Sequence, residues 1–275
     1  MTATLEQLWH LLLADDPNTA TQLVAPGGNW DDPLFNRSEG DAVLHEGVPH
    51  FAKWFRERSL GAGTIEPLRT TSNERRVVVE TVLGMRDGLT WNASTQKGER
   101  TARFQLAAAV VGDRSTRVAG AFDSVRIYFG TWSVLDGAPR LRVGPIAPDE
   151  RAETQRAIEG VPVLARYFDC LARGDAAIVE QFEPDGYFRE PANNFCCGRE
   201  QLVAHFVHIL ELGGVGVEFL TATAQGRTFT AEVQTVVWGP KRMSQPQAGF
   251  ASYDIGPHGR LAGARVYDSV VPPEF

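Results

Sequence analysis

The sequence predicts an α+β protein of two tandem domains, each with three helices packed on a curved antiparallel sheet around an open-ended cavity. The chain has 275 residues, which is enough for two domains of ordinary size. Both halves show helix, helix, short strand and helix, followed by four long strands. The pentapeptide RLAGA at 260–264 repeats RVAGA at 117–121 with one change, and the spacing of 143 residues (260 − 117) is about half the chain. These observations favour a duplicated domain over the alternative, a single large domain with an accidental match.

The helices are predicted from apolar residues that recur at helical spacing. The second half begins with a helix that carries Leu164 and Leu171, and Gly174 is expected to end it. The first half begins with a comparable leucine-rich helix. A third helix is expected at 47–59 in the first half and at 198–214 in the second.

Only strands are predicted after the third helix of each half, because apolar and polar residues alternate there. Strands are expected at 64–72, 75–86, 101–112 and 116–129, and then at 215–224, 227–239, 247–255 and 260–271. The segment 134–160 is rich in proline, glycine and charge, which indicates a linker. The predicted domains are therefore 1–133 and 161–275.

The composition and charge of the chain indicate which classes of binding partner are not expected. The net charge of −7 argues against nucleic acid, because phosphate binding requires a basic surface. No apolar run approaches the length that spans a bilayer, and the N-terminal apolar stretch contains Glu6, so a membrane protein or a signal peptide is not expected. Three cysteines, Cys170, Cys196 and Cys197, do not form a disulfide framework or a zinc site, and they favour a cytoplasmic location.

The second half resembles the nuclear-transport-factor-2-like superfamily, and within it the ketosteroid isomerases. Three stretches carry this resemblance: RYFDCLARGDAAIVEQF at 166–182, the acid–proline pair at 190–191 with GREQLVAHF at 198–206, and the HGR turn at 258–260. The first half resembles the superfamily only. The resemblance implies a cone-shaped domain with an apolar interior for a small organic substrate and no cofactor. It also implies pairing through the outer face of the sheet, which suggests an intrachain pseudo-dimer or a homodimer.

Glu190 and Tyr167 are the first catalytic candidates. In the isomerases that the second half resembles, the acid before the proline is the general base, and this position is Glu190. A carboxylate beside an apolar cavity has a raised pKa, which suits a base near pH 7. The resemblance also places Tyr167 where a tyrosine hydrogen-bonds the developing enolate oxygen. The alternatives are a surface acid and a core tyrosine.

The second half departs from the isomerase pattern at one position. Ketosteroid isomerases keep a protonated aspartate beside the tyrosine, and Ala251 stands at that position here. Ser252 or Tyr253 is expected to replace it, depending on which side chain faces the cavity. Asp268 on the last strand is a further candidate, because SnoaL-like polyketide cyclases carry a catalytic acid there; the alternative is an exposed aspartate.

The remaining candidates lie on the third helix and in the first half. Phe206 is expected to line the substrate cavity, and His205 and His208 either line it or pack elsewhere. No histidine or acid spacing suggests a metal site. In the first half, Asp32 occupies the acid–proline position. Because Leu8 falls opposite Tyr167 and Phe129 opposite Asp268, this half is expected to be degenerate.

Three functions remain open. The first is a cofactor-free acid–base enzyme that isomerises, cyclises or dehydrates a small apolar ketone, polyketide or terpenoid, with epoxide opening as a variant. The second is a non-catalytic protein that binds a small molecule in the same cavity. The third is an interaction scaffold, in which bulky side chains would fill both cavities.

Overall fold

The computed structural model describes residues 4–14, 18–34, 36–92, 97–130, 134, 146–190 and 195–268. The chain divides into two compact units with the boundary near residue 140. Each unit contains one six-stranded sheet on which helices pack. The predicted α+β class and the two similar units are therefore present.

The first unit begins with short helices and continues into its sheet. Its α-helices are Leu8–Leu13 (α1), Asn18–Thr21 (α2) and Val48–Arg58 (α3). Its strands are Val24–Asp32 (β1), Asn36–Glu39 (β2), Ile65–Ser72 (β3), Arg76–Asn92 (β4), Lys97–Arg114 (β5) and Phe122–Phe129 (β6). Short 3₁₀ helices span Leu5–Gln7 and Ala62–Thr64, and a π-helical turn, Val43–Gly47, precedes α3. The strand order is β2-β1-β6-β5-β4-β3.

The second unit repeats this order of strands. Its α-helices are Pro148–Glu159 (α4), Pro162–Arg173 (α5) and Gly198–Glu211 (α6), and a 3₁₀ helix spans Ala176–Gln181. Its strands are Phe182–Arg189 (β7), Phe195–Cys197 (β8), Val215–Gln225 (β9), Thr228–Trp238 (β10), Lys241–Ile255 (β11) and Leu261–Asp268 (β12). The strand order is β8-β7-β12-β11-β10-β9.

Gly174 ends α5, as the sequence predicts, and glycines also follow α6. Gly174 adopts the left-handed conformation at φ +62°, and its N–H bonds to the carbonyls at the end of α5. Gly214, just after α6, also has positive φ, and a Cβ there would lie 2.3 Å from the Leu171 carbonyl oxygen. Only glycine allows the ends of the two helices to approach this closely.

The sheets differ from the prediction in two respects. Each contains one parallel pair, β1 with β6 and β7 with β12, so the sheets are mixed and not purely antiparallel. The last strand returns beside the first in the same direction after a short strand, a helix and three long antiparallel strands. Each sheet also has a short sixth strand, β2 or β8, in a segment predicted as loop.

The segment predicted as a linker, 134–160, contains α4. This helix lies in the second unit and packs against β9. Ile158 is almost fully buried, and the Thr154 hydroxyl is 3.5 Å from the Leu220 carbonyl oxygen. Burial of these two side chains gives a charge-rich helix a fixed position, which the composition of the segment does not reveal.

The repeated pentapeptide does not occupy equivalent positions in the two units. Phe122 pairs with Val24 where β6 meets β1, and Leu261 pairs with Phe182 where β12 meets β7. These equivalent positions are 139 residues apart (261 − 122), and not 143. RVAGA lies in the turn before β6, whereas RLAGA runs into β12. The match is therefore accidental, although the two units do share their topology.

Candidate functional site

The second unit contains an apolar cavity that opens to solvent. Aromatic and aliphatic side chains from two helices and the sheet form most of its wall. The lining residues are Tyr167, Phe168, Leu171, Phe188, Phe206, Ile209, Val215, Val217, Val233, Thr235, Trp238, Phe250, Ala251, Tyr253 and Val266. Small organic molecules bind in cavities of this apolar and aromatic character.

Helical spacing and strand alternation position this wall. On α5, Tyr167 and Leu171 are one turn apart and lie on the same face of the helix. The Tyr167 ring contacts the Tyr253 ring edge-on, with centroids 5.5 Å apart, and Phe168 contacts Tyr253 in the same way. Phe206 on α6 contacts Tyr167 at 6.5 Å. Edge-to-face packing of this kind fixes ring orientations.

Tyr167, Phe206 and Tyr253 therefore lie together on the wall, as does Ala251. Ser252 does not, because adjacent residues of a strand point to opposite faces of the sheet. Its hydroxyl accepts a hydrogen bond from Arg265 Nη2 at 2.8 Å on the other face. Of the two candidates for the missing aspartate, Tyr253 faces the cavity and Ser252 faces away.

Glu190 is not among the residues that line the cavity. It follows β7, and its Oε1 lies 3.3 Å from Nδ1 of His205 on α6. The His205 ring packs on Phe188, with centroids 4.6 Å apart, and Phe188 lines the cavity. Glu190 thus contacts a histidine that packs on the aromatic wall. The sequence predicts that Glu190 and Tyr167 share the cavity, but only Tyr167 is among its lining residues.

The Glu190–His205 pair is mostly removed from solvent. The side chains are 29% and 10% exposed, respectively. Burial lowers the pKa of the His205 imidazole, and the Glu190 carboxylate acts in the opposite direction. His205 Nε2 is buried without a hydrogen-bond partner. A neutral imidazole with a carboxylate near one nitrogen and no partner on the other has the chemical character of a base.

Asp268 and His208 cannot be assigned to the site. Asp268 is the last residue of β12 and pairs with Gly249, but its side chain lies outside the described part of the structure. The side chain of His208 on α6 also lies outside it. Their roles stay predictions.

Asp32 in the first unit is buried and held by hydrogen bonds within the protein. Its side chain is fully buried and accepts hydrogen bonds from Trp30 Nε1 at 3.0 Å and from the Leu34 N–H at 2.9 Å. Packed aromatic rings occupy the interior of this unit: Trp54 stacks on Phe129 at 5.7 Å. The other buried aromatic residues of this cluster include Trp9, Trp30, Phe51 and Phe55.

The sequence did not single out Trp238, Thr235, Phe168 or Phe188 as site residues, yet all four line the cavity. Alternation in TFTAEVQTVVW identifies Thr235 as facing the same side as Val233. Helical spacing from Leu164 identifies Phe168. Within the described residues, no group of three or more His, Cys, Asp and Glu side chains could hold a metal ion.

No family model matches the chain, and no curated protein matches it in sequence. Solved structures that it is similar to include a candidate polyketide cyclase from Sinorhizobium meliloti (22% identity, 38% of this chain and 93% of that chain, TM-score 0.33). Others are an LEH-like epoxide hydrolase from Mycobacterium tuberculosis (18%, 42% and 84%, 0.33) and an NTF2-like protein of unknown function from Cytophaga hutchinsonii (12%, 38% and 86%, 0.32). Each similarity covers less than half of this chain.

The fold itself is evident from the connections between elements. In each unit, helices pack on a sheet in which the last strand returns beside the first, and the same strand order occurs twice. None of the helices in the described ranges combines the length and apolar character needed to cross a membrane. The order and pairing of the helices and strands in each unit agree with the nuclear-transport-factor-2-like fold that the sequence resemblance implies.

Proposed function

We propose that the second unit binds a small, mainly apolar organic molecule in its aromatic cavity. One observation carries this proposal: the second unit contains an open cavity whose wall is formed mainly by apolar side chains. A ligand there would be held chiefly by burial of its apolar surface, at about 25 cal/mol per Å². Rings of Tyr167, Phe168 and Tyr253 suit a flat, unsaturated body.

Comparison of the two units supports binding over a purely structural role. A scaffold with no ligand is expected to fill its interior, as close packing is the normal state of a protein core. In the described part of the first unit, packed rings such as Trp54 and Phe129 occupy the interior. The second unit retains a cavity although its chain has the same strand order.

A substitution that fills the cavity tests this proposal. Ala251 is buried on its wall, and Ala251→Phe adds a ring inside it. We expect this change to weaken binding of a naphthyl ketone such as 2-acetylnaphthalene at least tenfold in equilibrium dialysis. Val203 on α6 is 48% exposed, so Val203→Phe adds the same ring at the surface and is expected to leave binding unchanged. Equal affinity in both variants would contradict the proposal.

A second candidate function is acid–base turnover of the bound molecule, and the Glu190–His205 pair favours it. Neutral His205 would take a proton from the carbon beside a carbonyl. The C–H electron pair would form a carbon–carbon double bond, and the carbonyl π pair would move to the oxygen, which gives an enolate. Glu190 would stabilise the imidazolium formed at His205, 3.3 Å away. This role requires the Phe188 ring to move aside, since His205 packs on that ring and the ring forms part of the cavity wall.

This chemistry is testable without knowing the natural substrate. In D₂O, the methyl group of 2-acetylnaphthalene would exchange hydrogen for deuterium at an enzyme-dependent rate, followed by proton NMR. Glu190→Gln and His205→Gln are each expected to lower that rate about 10²- to 10⁴-fold. Glu180 is 60% exposed, and Glu180→Gln makes the same change at the surface as a control. Exchange at the wild-type rate in both site variants would exclude acid–base chemistry by this pair and leave binding alone.

A further inference from the structure

We infer that the indole N–H of Trp238 is the polar anchor of the cavity and donates a hydrogen bond to an acceptor oxygen at one end of the ligand. This inference rests on the proposed binding function and narrows its ligand class. The ligand would be an apolar, largely flat molecule that carries a carbonyl or ether oxygen at an end.

The indole nitrogen of Trp238 lacks a hydrogen-bond partner among the described residues. Trp238 lines the cavity, and its Nε1 is buried without a hydrogen-bond partner. A buried donor left without a partner costs about 1–3 kcal/mol, and native proteins pair the great majority of such groups. An acceptor on the ligand would remove this cost, so the binding free energy would favour molecules that carry one.

Trp238 differs from two other tryptophans whose indole nitrogen is also unpaired. Trp9 and Trp54 in the first unit also have an unpartnered buried Nε1. Both belong to the packed aromatic cluster of that unit and do not line the cavity. An unpaired indole alone therefore indicates no ligand. Trp238 differs because its ring borders space that a molecule can enter.

The backbone beside Trp238 is held in place. Gly239 has φ +59°, and its N–H donates to the Gly214 carbonyl oxygen at 2.8 Å. A Cβ at Gly239 would lie 2.3 Å from the Leu212 carbonyl oxygen. The β10–β11 turn is thus fixed against the segment that follows α6. A donor on a fixed backbone is preorganised, which lowers the entropic cost of ligand binding.

The register of β10 and β11 separates the anchor from the tyrosines. Tyr253 pairs with Phe229 at one end of this strand pair, and Trp238 pairs with Lys241 at the other. Tyr167 lies against Tyr253. An acceptor oxygen at Trp238 would therefore leave the apolar body of the ligand to extend toward the Tyr167 and Tyr253 rings.

The experiment uses two probes of nearly equal shape. 2-Acetylnaphthalene has a carbonyl oxygen, and 2-isopropenylnaphthalene has a methylene group in its place. We expect Trp238→Phe to weaken binding of the ketone about five- to tenfold, in keeping with the loss of one hydrogen bond, and to change binding of the hydrocarbon less than twofold. Trp54→Phe also removes an unpartnered indole and is expected to leave both affinities unchanged.

A spectroscopic readout makes the result independent of packing losses. The ¹⁵N-labelled protein has six tryptophans, and the indole resonance of Trp238 is the one missing in Trp238→Phe. We expect the ketone to shift that proton downfield and the hydrocarbon not to do so. If both probes bind but affect Trp238 equally, the anchor is wrong and cavity binding stands. If neither probe binds the wild type, the proposed binding function fails, and the anchor fails with it.

Discussion

Single residues at matching positions have different surroundings in the two units. Asp32 and Glu190 each precede a proline after the first strand of their sheet. Asp32 is short and fully buried, and an indole N–H and a backbone N–H satisfy its carboxylate. Glu190 is one methylene longer and reaches His205. Sequence position predicts where an acid stands on the strand, but its neighbours determine whether it is structural or chemical.

Asp113 in the first unit is the clearest case of a carboxylate tuned by its neighbours. It lies between two buried arginines, 2.5 Å from Arg126 Nη1 and 2.6 Å from Arg76 Nε. Burial acts to raise the pKa of Asp113, but the two guanidinium groups more than offset burial and lower the pKa to about 2. The folded state therefore binds the Asp113 proton more weakly than the unfolded state does.

This lowered pKa predicts the pH dependence of stability. The contribution of Asp113 is fully present above its unfolded pKa of about 4 and is lost as the pH falls through about 2. It amounts to roughly 2 kcal/mol. We expect Asp113→Asn to lower the free energy of unfolding at pH 7 by at least that amount and to flatten its decline between pH 4 and 2. Urea unfolding followed by tryptophan fluorescence measures this, since five of the six tryptophans precede residue 140.

An exposed aspartate of the same unit provides the control. Asp123 is 36% exposed and pairs with Arg117, which is 58% exposed, at 2.8 Å. Exposed pairs contribute about 0–1 kcal/mol, so Asp123→Asn is expected to change stability little. A wild-type pH profile in Asp113→Asn would show that the arginines do not hold this carboxylate in solution.

At the scale of elements, the periodicity of the sequence predicted most of the fold. Leu164 and Leu171 do lie on a helix that Gly174 ends, and the long strands of both sheets were predicted near their observed positions. The pentapeptide match led to the prediction of two similar units, which the structure contains, but the two pentapeptides are not at equivalent positions. Its two copies are four residues out of structural register (143 − 139), because RVAGA forms a turn and RLAGA enters a strand.

The cavity wall was harder to predict because a bulge interrupts one of its strands. Simple alternation along β10 would place Val237 on the same face as Thr235. The register of β10 with both neighbouring strands shifts between Thr235 and Val237, and Trp238 lines the cavity while Val237 does not. A bulge adds one residue and reverses the alternation beyond it. Sequence alone gives no signal of where that residue is added.

The helix α4 is a second element that was hard to predict from the sequence. Its sequence, PDERAETQRAIE, is dominated by polar and charged residues, which indicates a linker. Only Thr154 and Ile158, one turn apart, are buried. Two buried positions in twelve give a weak periodic signal, so the helix is stabilised by contact with β9 and not by a pattern readable in advance.

At the scale of the whole molecule, one topology occurs with two kinds of interior. Both sheets have the same strand order, yet the rings of Trp54 and Phe129 are stacked inside the first unit and the second contains a cavity. The first half lacks a counterpart of Tyr167 and is predicted to be degenerate, and this stays a prediction. Common ancestry of the two units stays a prediction, because the pentapeptide no longer supports it.

The contrast between the interiors predicts where a ligand acts. At saturating 2-acetylnaphthalene, we expect amide hydrogen exchange at short times, which reports local opening, to slow in peptides covering 213–239 and 247–255 of the second unit. Peptides covering 76–91 and 104–114 of the first unit are expected to exchange as without ligand, because packed rings occupy the interior of the described part of that unit. Mass spectrometry of the digested protein measures both sets in one experiment. Ala251→Phe, which fills the cavity, is the control and is expected to abolish the slowing. Protection in the first unit at these times would mean that its aromatic interior opens to admit the ligand, and the assignment of binding to the second unit alone would be wrong.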